Sequence, residues 1–322
     1  MKTIGYRDFS TQIFPLFQPH IFFVAVIVVN QPFNPKNMNQ EIINLFDEYT
    51  HKPLSRNEFI KRLTKLAGST AAALAILPLL EVNYAQAAMI AENDEDLFTE
   101  DITYQGDGST MKAYFAKPKV VASKLGAVIV IHENRGLNPH IKDITRRVAK
   151  AGYLALGVDA LSPFGGTPAN EDEARALFAK IEAPKNINNF LKGFNYLRSR
   201  PESNGKTACV GFCWGGGLVN QLAVNSPDLK AAVAYYGRQA DAVDVPKIKA
   251  ALQLHYGGLD ERVNAGIAAY ETALKAAGTK HEIFIYEGAN HAFNNDTAPT
   301  RYSADAAKLS WERTLRLFKD TL

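Results

Sequence analysis

The most constraining stretch of this sequence runs from Thr207 to Gly217 and reads TACVGFCWGGG. A short apolar run meets a Gly-x-Cys-x-Gly-Gly turn, and an apolar helical pattern follows it. This order predicts a strand, a sharp turn and a helix, the setting that presents a catalytic nucleophile, with Cys213 where serine usually stands. Gly211, Gly215 and Gly216 fit that prediction because a strained turn tolerates little bulk around it.

On its own, the turn is equally consistent with a buried structural cysteine beside a glycine-rich connection. Two residues further along the chain favour a catalytic role. Asp260 follows one apolar run, and His291 follows another. Nucleophile, acid and histidine in that order, each after its own strand, are typical of an α/β-hydrolase triad. We therefore predict that Cys213 attacks a carbonyl, that His291 transfers protons and that Asp260 orients the histidine ring.

Composition and charge exclude several classes of protein. The chain has 322 residues, of which 47% are hydrophobic and 21% charged, as is ordinary for one large core or a core plus an appended segment. Its net charge of +3 and its scattered basic residues do not indicate a nucleic-acid partner. The two cysteines, Cys209 and Cys213, are separated by a strand end, so we predict no structural disulfide, no zinc site and no other metal or cofactor.

From Asp101 onward, apolar runs alternate with helical patterns. This predicts the α/β class and, with the triad order, the α/β-hydrolase fold: a mostly parallel sheet with helices on both faces. The predicted strands are 102–105 and 112–116, joined as a hairpin, then 127–131, 153–158, the strand before Cys213, 231–235, 251–255 and 282–286. The predicted helices are 139–151, 171–180, 187–200, the helix after Cys213, 263–277 and 304–322.

The first part of the chain differs in character from the rest. We divide the sequence into an N-terminal extension, residues 1–95, and a catalytic domain, residues 96–322. The apolar run Ile21–Val29 is too short to indicate a membrane span, and none is predicted in the catalytic domain. Met38 opens a polar, helix-prone stretch over residues 39–50 and is the more natural start of the protein.

A second stretch of the extension resembles a twin-arginine export signal. Ser55–Arg62 precedes a mildly apolar run over residues 66–80, and Ala85-Gln86-Ala87 has the pattern of a cleavage site. Asn57, however, occupies the place of the second arginine. Two interpretations stay open: a periplasmic or otherwise exported protein, or a cytoplasmic enzyme with an amphipathic N-terminal helix.

Residues 101–322 carry the motifs of one known family. They contain His132-Glu133, the sequence Gly-Phe-Cys-x-Gly-Gly, Tyr235-Tyr236-Gly237, Asp260, and His291 with Phe293 two places on. With these motifs the chain resembles the dienelactone hydrolases, also called carboxymethylenebutenolidases, and in particular the bacterial subgroup with an N-terminal twin-arginine-like segment. The resemblance implies a cysteine-dependent hydrolase of a small-molecule carboxylic ester or lactone, acting through an acyl-enzyme.

The resemblance also implies roles for residues beside the triad. Glu133 would pair with the cysteine at rest and move aside when substrate binds. The backbone N–H groups of Trp214 and Asn134 would form the oxyanion hole. The residues alone leave a second possibility for Glu133, an ion pair with Arg135 or Arg146.

Two departures from the family pattern concern the substrate. The family holds its substrate carboxylate with arginines, and one of their positions, four residues after His291, is Asn295 here. The loop over residues 160–166, where another arginine belongs, contains none. Arg238 is a candidate substitute, although an arginine at a loop start is more often only solvated. A dienelactone-specific activity therefore does not follow. The predicted substrate contacts are Arg238, Tyr236, Phe293 and Asn295.

Three other functions are compatible with parts of this pattern. A thioesterase or general esterase would use the same site. A non-catalytic, ligand-binding relative would be expected to have lost one of Cys213, Asp260 and His291, and all three are present. A thiol redox protein would use Cys209 and Cys213, whose spacing is not that of a Cys-x-x-Cys motif.

Overall fold

The computed structural model describes residues 38–83 and 89–322 of the chain. The apolar run at 21–29 and the Ala85-Gln86-Ala87 sequence lie outside these residues. Within them, a sheet is flanked by helices on both faces, and three further helices precede it. This architecture confirms the predicted α/β-hydrolase fold.

The sheet consists, within the described residues, of eight strands: β1 (Leu97–Gln105), β2 (Thr110–Pro118), β3 (Leu125–Ile131), β4 (Leu154–Val158), β5 (Ser203–Phe212), β6 (Ala231–Tyr235), β7 (Ala251–Gly257) and β8 (His281–Tyr286). Their order is β1-β2-β4-β3-β5-β6-β7-β8. β1 and β2 form the predicted antiparallel hairpin, β2 is antiparallel to β4, and the remaining pairs are parallel. Chain order reverses around β3, and ligands bind outside the carboxyl ends of the strands at such a switch point.

The described residues contain ten α-helices: α1 (Gln40–His51), α2 (Arg56–Ala67), α3 (Thr70–Leu80), α4 (Pro139–Lys150), α5 (Glu171–Phe178), α6 (Ala183–Ser199), α7 (Trp214–Asn225), α8 (Glu261–Asn264), α9 (Ile267–Ala276) and α10 (Ala304–Thr321). The single helix predicted over 263–277 is therefore two helices. Asp260 explains the early start of α8, because its side chain accepts a hydrogen bond from the Val263 N–H and caps the helix.

Alternate residues of the central strands face two separate apolar cores. Ile129 and Ile131 of β3 contribute to the core that contains α6, α7 and α9. Val128 and Val130 contribute to the core that contains α4 and α10. All four side chains are fully buried. Because both faces of β3 are covered, its sequence is a continuous apolar run and does not alternate with polar residues.

Helices α1 to α3 form a smaller apolar cluster of their own. Phe59 of α2 is fully buried in it, and its ring stacks on that of Tyr49 in α1, with centroids 4.4 Å apart. Ser55 begins α2 by accepting a hydrogen bond from the Glu58 N–H. The twin-arginine-like stretch Ser55–Arg62 is thus the N-terminal cap and first turns of a helix whose apolar face is buried.

No helix among residues 38–83 and 89–322 is by itself long and apolar enough to cross a membrane. The pair α2 and α3 meets the length and composition required only when the two are taken together, and they are bent by 112° at the break between them. The bend has a local cause. Gly68 ends α2 in the left-handed conformation, with φ of 80°, and Ser69 caps the start of α3.

The turn after β5 depends on close approaches between backbones. A Cβ at Gly211 would lie 2.3 Å from the carbonyl oxygen of Gly215, and a Cβ at Gly215 would lie 2.5 Å from that of Ile131. A Cβ at Gly216 would lie 2.5 Å from the carbonyl oxygen of Tyr235. Side chains do not fit at these distances, so the packing of α7 against β3 and β6 requires the three glycines that predicted the turn.

Two adjacent glycines of α7 offer a matched test of this packing. Gly216→Ala should lower the free energy of unfolding by about 1–3 kcal/mol, because the new methyl group overlaps backbone atoms of Tyr235, at the end of β6, and of Gly237. Gly217→Ala should leave it unchanged or raise it by up to about 1 kcal/mol, because the nearest atom to its Cβ would be 3.6 Å away and alanine favours a helix. Urea unfolding of both variants beside the wild type measures the difference, and equal stabilities would contradict the packing argument.

Candidate active site

Cys213 lies between β5 and α7 in a strained backbone conformation, with φ of 55° and ψ of −112°. Two other non-glycine residues of the described chain have positive φ, Tyr236 at 41° and Ala292 at 63°. Tyr236 directly follows β6, and Ala292 lies in the loop after β8, so all three are at the carboxyl ends of strands. Such strain persists only where the surrounding structure enforces it, and it concentrates at functional sites.

His291 and Asp260, the predicted base and its orienting acid, are in contact. His291 Nδ1 lies 2.6 Å from Asp260 Oδ2, and the two residues are 5% and 4% exposed. A carboxylate at Nδ1 holds the ring proton there, which leaves the lone pair of a neutral imidazole on Nε2. Among the described residues, His291 Nε2 has no hydrogen-bond partner. It is therefore free to take a proton.

A second histidine, not predicted from the sequence, contacts the sulfur of Cys213. His51 is the last residue of α1, and its Nε2 lies 3.0 Å from Cys213 Sγ. Its ring meets that of His291 edge-on, with centroids 4.6 Å apart. The sequence contains no signal for this contact, because His51 lies within residues 1–95, the predicted extension. Only the packing of α1 against the catalytic domain brings it to the site.

Charges around His51 change its proton affinity. Burial disfavours a charged ring, but the adjacent Cys213 and the side chain of Asp47 outweigh burial and raise the pKa of His51. Burial acts on Asp47 in the opposite direction and would raise its pKa. The nearby His291, His51 and Arg262 nevertheless hold the pKa of Asp47 well below its usual range. At neutral pH Asp47 is therefore ionised, and its negative charge favours a protonated His51.

Cys213 Sγ and a ring nitrogen of each of His51 and His291 lie within 4.8 Å of one another, a donor set that soft cations such as Zn²⁺ accept. In a tetrahedral zinc site, bonds of about 2.3 Å to sulfur and 2.0 Å to nitrogen separate the two atoms by roughly 3.5 Å. The distance between Cys213 Sγ and His51 Nε2 is shorter, 3.0 Å. It fits a hydrogen bond, with one proton between the two atoms.

Glu133 follows β3 and is 8% exposed, but its carboxylate contacts are with residues other than the cysteine. Oε2 accepts a hydrogen bond from Asn295 Nδ2 at 2.9 Å, and Oε1 accepts one from the hydroxyl of Tyr236 at 3.5 Å. Burial, together with Glu133, raises the pKa of Tyr236 well above its usual value, so this hydroxyl stays a donor. Arg135, the alternative partner considered for Glu133, pairs with Glu171 at 3.4 Å.

The two residues of the predicted oxyanion hole line the same pocket as Cys213. Trp214 is the first residue of α7, so its N–H is one of those that have no acceptor within the helix. Asn134 lies in the loop after β3 and lines the same pocket. The ring of His132 stacks on Trp214 with centroids 5.5 Å apart, and its Nε2 accepts the Ala160 N–H. Burial lowers the pKa of His132, which therefore acts as a neutral support for these loops.

The site opens into a pocket of about 910 Å³. Its apolar walls come from α5, α6, the turn between them, and α7, through Phe178, Ile181, Ile187, Trp214 and Leu218. The rim opposite the sheet comes from α1 and the turn after it, residues 50–54. The pocket is therefore built jointly by the part of the chain that contains the sheet and by the segment that precedes it.

Of the four predicted substrate contacts, two line the pocket and the other two are buried and are not among its lining residues. Tyr236 and Arg238 line the pocket. Phe293 is fully buried and packs against the ring of Tyr236 with centroids 5.4 Å apart, and Asn295 is 2% exposed and bonded to Glu133. The side chain of Arg238 is exposed, and within the described chain no acidic group lies within ion-pair distance of it. Its guanidinium is thus available to an anion in the pocket.

The contact between Glu133 and Asn295 predicts that changes at the two positions are not additive. Glu133→Gln replaces one of two accepting oxygens by a donor, which faces either Asn295 Nδ2 or the Tyr236 hydroxyl, and Asn295→Asp should place two carboxylates together. Each single change should lower the free energy of unfolding by about 1–3 kcal/mol. The double variant restores one donor and one acceptor, so the two changes should couple favourably by about 0.5–3 kcal/mol. Urea unfolding of the four proteins at neutral pH measures this coupling.

Additive losses in the double variant would show that the two side chains do not share a hydrogen bond. Asn295 also offers its Oδ1 to the N–H and hydroxyl of Thr297, and an aspartate can keep both of those bonds. The comparison therefore isolates the contact with Glu133.

Comparison with known sequences places this chain among hydrolases. Residues 111–322 match the Dienelactone hydrolase family. A protein of Escherichia coli strain K12 named "Putative carboxymethylenebutenolidase" is 34% identical over 249 residues, which cover 72% of this chain and 91% of that protein. A protein of the same name from Saccharolobus solfataricus is 32% identical over 252 residues, which cover 66% of this chain and 95% of that protein.

Solved structures agree with this match. The crystal structure of a "Putative Dienelactone Hydrolase" from Klebsiella pneumoniae has a TM-score of 0.63 and 28% identity, and covers 69% of this chain and 98% of that chain. A dienelactone hydrolase-like promiscuous phosphotriesterase, P91, from metagenomic libraries has a TM-score of 0.64 at 22% identity, a similarity of fold. Helices α1 to α3 precede residue 111 and lie outside the family match.

Proposed function

Because this chain belongs to the dienelactone hydrolase family, whose members hydrolyse esters or lactones, we propose that it cleaves a carboxylic ester or lactone through an acyl-enzyme on Cys213. One observation carries the proposal: the strained cysteine and the His291–Asp260 pair come together at the carboxyl ends of β5, β7 and β8. A thiol at an enforced turn beside a histidine with a free Nε2 is the arrangement that covalent catalysis requires.

In the first half of the reaction, the sulfur of Cys213 adds to the carbonyl carbon. A carbon–sulfur bond forms, and the carbonyl electrons move to oxygen. As the tetrahedral intermediate collapses, the bond to the leaving oxygen breaks and that oxygen takes a proton from a histidine. An alcohol leaves, or a ring opens in the case of a lactone, and an acyl thioester remains on Cys213.

In the second half, His291 Nε2 takes a proton from water, whose oxygen adds to the acyl carbon. The carbon–sulfur bond breaks, and a carboxylic acid is released. Asp260 keeps Nδ1 protonated and stabilises the imidazolium that forms, which is the role supported by its 2.6 Å contact. The N–H groups of Trp214 and Asn134 would stabilise the negative oxygen in both halves, and their positions beside Cys213 support that role.

The pocket supports a substrate with an apolar body and one anionic group. Apolar side chains of α6 and α7 would hold the body next to Cys213. The guanidinium of Arg238, which has no acidic partner within the described residues, would hold a carboxylate through a charge-assisted bond. A thioesterase or general esterase that uses the same triad is the alternative within this family, and the substrate panel below includes a thioester for that reason.

The test is intact-mass analysis after brief mixing with a panel of aryl esters, lactones, a dienelactone and an acyl thioester. The wild type should gain the mass of one acyl group with at least one member of the panel. Cys213→Ala should gain none, because it lacks the nucleophile. Cys213→Ser should lose most of the turnover, since a hydroxyl in a site arranged for a thiol is a far weaker nucleophile at neutral pH.

His291→Ala provides a control for the second half of the reaction. Loss of a general base lowers rates by about 10²–10⁴-fold, so the acyl adduct should persist longer in this variant than in the wild type. Absence of any adduct and of turnover across the panel would contradict the proposal and favour a ligand-binding role. Full activity in Cys213→Ser would contradict covalent catalysis by the cysteine.

Arg238→Ala tests the proposed carboxylate contact. The KM for an aryl ester that carries a free carboxylate should rise about tenfold or more, since a hydrogen bond to a charged group contributes about 1.5–3 kcal/mol. The KM for the matched neutral ester should change less than about twofold. Arg316→Ala, an exposed arginine on α10, is the control and should affect neither. Equal increases for both esters would contradict a charge contact.

A further inference from the structure

The sulfur of Cys213 is hydrogen-bonded to a histidine that the family triad does not contain. We propose that His51, supplied by α1, is the resting-state proton partner of Cys213 and holds it as a thiolate paired with an imidazolium. The inference rests on the proposed function and names the group that prepares its nucleophile. His51 Nε2 is 3.0 Å from Sγ, whereas His291 Nε2 has no hydrogen-bond partner within residues 38–83 and 89–322.

The other nitrogen of the His51 ring determines what Nε2 can do. Nδ1 lies 2.8 Å from the backbone carbonyl of Asp47, which only accepts, so Nδ1 carries a proton. A neutral His51 then has its lone pair on Nε2, directed at the thiol. A charged His51 donates from Nε2 to the sulfur. In both states the single proton between Nε2 and Sγ is shared by these two atoms.

The surrounding charges favour the charged state of His51. The carboxylate of Asp47 lies 3.1 Å from Nδ1, and the ring is at the C-terminus of α1, where the helix dipole favours a cation. Two groups oppose it: the edge of the His291 ring and Arg262, although Arg262 lies 3.2 Å from Asp47 and is largely compensated there. His291 is in turn held by Asp260. A cysteine beside a cationic histidine is the usual way in which proteins obtain a thiolate at neutral pH.

Helix α1 is fixed at the site by contacts to several different elements. Asn134 Nδ2 donates to the Thr50 carbonyl at 2.7 Å, and the Tyr49 hydroxyl donates to Asp172 at 3.0 Å. Gln40, at the other end of the helix, donates to Asn290 at 2.6 Å. These partners lie after β3, in α5 and after β8. The position of α1, and with it that of His51, is thus held by three different elements and does not depend on the contact with the sulfur.

The residue that family resemblance assigns to this role is occupied elsewhere. Both carboxylate oxygens of Glu133 accept hydrogen bonds, from Asn295 and from Tyr236. Asn295 stands where the family carries an arginine, so the partner of Glu133 is itself a departure from the family pattern. His51 therefore replaces Glu133 as the group in contact with the resting nucleophile.

The proton balance of the step is simple. The S–H bond of Cys213 breaks, a bond between Nε2 of His51 and that proton forms, and the electron pair stays on sulfur. When the thiolate attacks and the leaving oxygen departs, the same proton completes the alcohol. In the second half His291 takes a proton from the attacking water. After deacylation His291 releases that proton to water in the pocket and His51 takes one up, which restores the charged pair.

The test uses the full-length chain and needs no ester substrate. Alkylation of Cys213 by iodoacetamide is followed by intact mass at pH 6 and pH 9, in the wild type, His51→Gln, His291→Gln and His281→Gln. Glutamine keeps a polar side chain but cannot carry a positive charge. Cys213→Ala should give no adduct, because the one remaining cysteine, Cys209, is fully buried. That result assigns the adduct of the wild type to Cys213. The readout is the ratio of the two rates within one protein, so that differences in accessibility between variants cancel.

The wild type should react at pH 6 at a rate within about tenfold of that at pH 9. In His51→Gln the ratio should fall by about 100-fold, as for a free cysteine, whose ordinary pKa is about 8.5. His291→Gln and His281→Gln should keep the ratio of the wild type. An unchanged ratio in His51→Gln would overturn the proposal, even if both rates rise because the pocket is more open. A fall of the ratio in His291→Gln, with no fall in His51→Gln, would assign the role to His291 and would also overturn the proposal.

The alkylation test of His51 and the acylation test of the proposed function can fail independently of each other. An ester that acylates the wild type together with an unchanged ratio in His51→Gln would overturn the inference about His51 and leave the hydrolase intact. A lowered ratio with no acylation by any ester would keep the inference and remove the hydrolase. Asp47→Asn is a second variant that acts through His51, and it should lower the ratio in the same direction, by less.

Discussion

The strained turn at Cys213 is the constraint on which the rest of the site depends. A positive φ at a residue with a side chain costs energy, and here the close approaches at Gly211, Gly215 and Gly216 compensate for it by packing α7 directly onto the sheet. The result is a sulfur at the end of β5, between the loops that follow β3 and β6. Ring nitrogens of His51 and His291 lie within 4.8 Å of that sulfur.

Much of this arrangement follows from local features of the sequence. The turn requires glycines next to one another, strands buried on both faces require continuous apolar runs, and the members of a triad each follow a strand of their own. These features predict the fold and the proximity of Cys213, Asp260 and His291. Residues 263–277 have a continuous helical periodicity, which predicts one helix. The structure has two, because the side chain of Asp260 caps a separate short helix.

The contacts that local reasoning missed are those between residues far apart in the chain. His51 precedes Cys213 by 162 positions, and an isolated histidine at the end of a polar helix has no pattern that marks it. Glu133 and Asn295 are also separated by 162 positions, and their hydrogen bond exists because both are buried, which composition does not reveal. In each case the deciding factor is which surfaces pack together, and this depends on the whole fold.

Helix α1 has a consequence for how such enzymes diverge. The sheet and its turn tolerate little change, because a Cβ at Gly211, Gly215 or Gly216 would overlap neighbouring backbone atoms. Helix α1, in contrast, is attached through side-chain hydrogen bonds that can be replaced one at a time. The groups that contact Cys213 and the shape of the pocket mouth can therefore change independently of the scaffold. Replacing α1 would alter both while the sheet and its turn stay as they are.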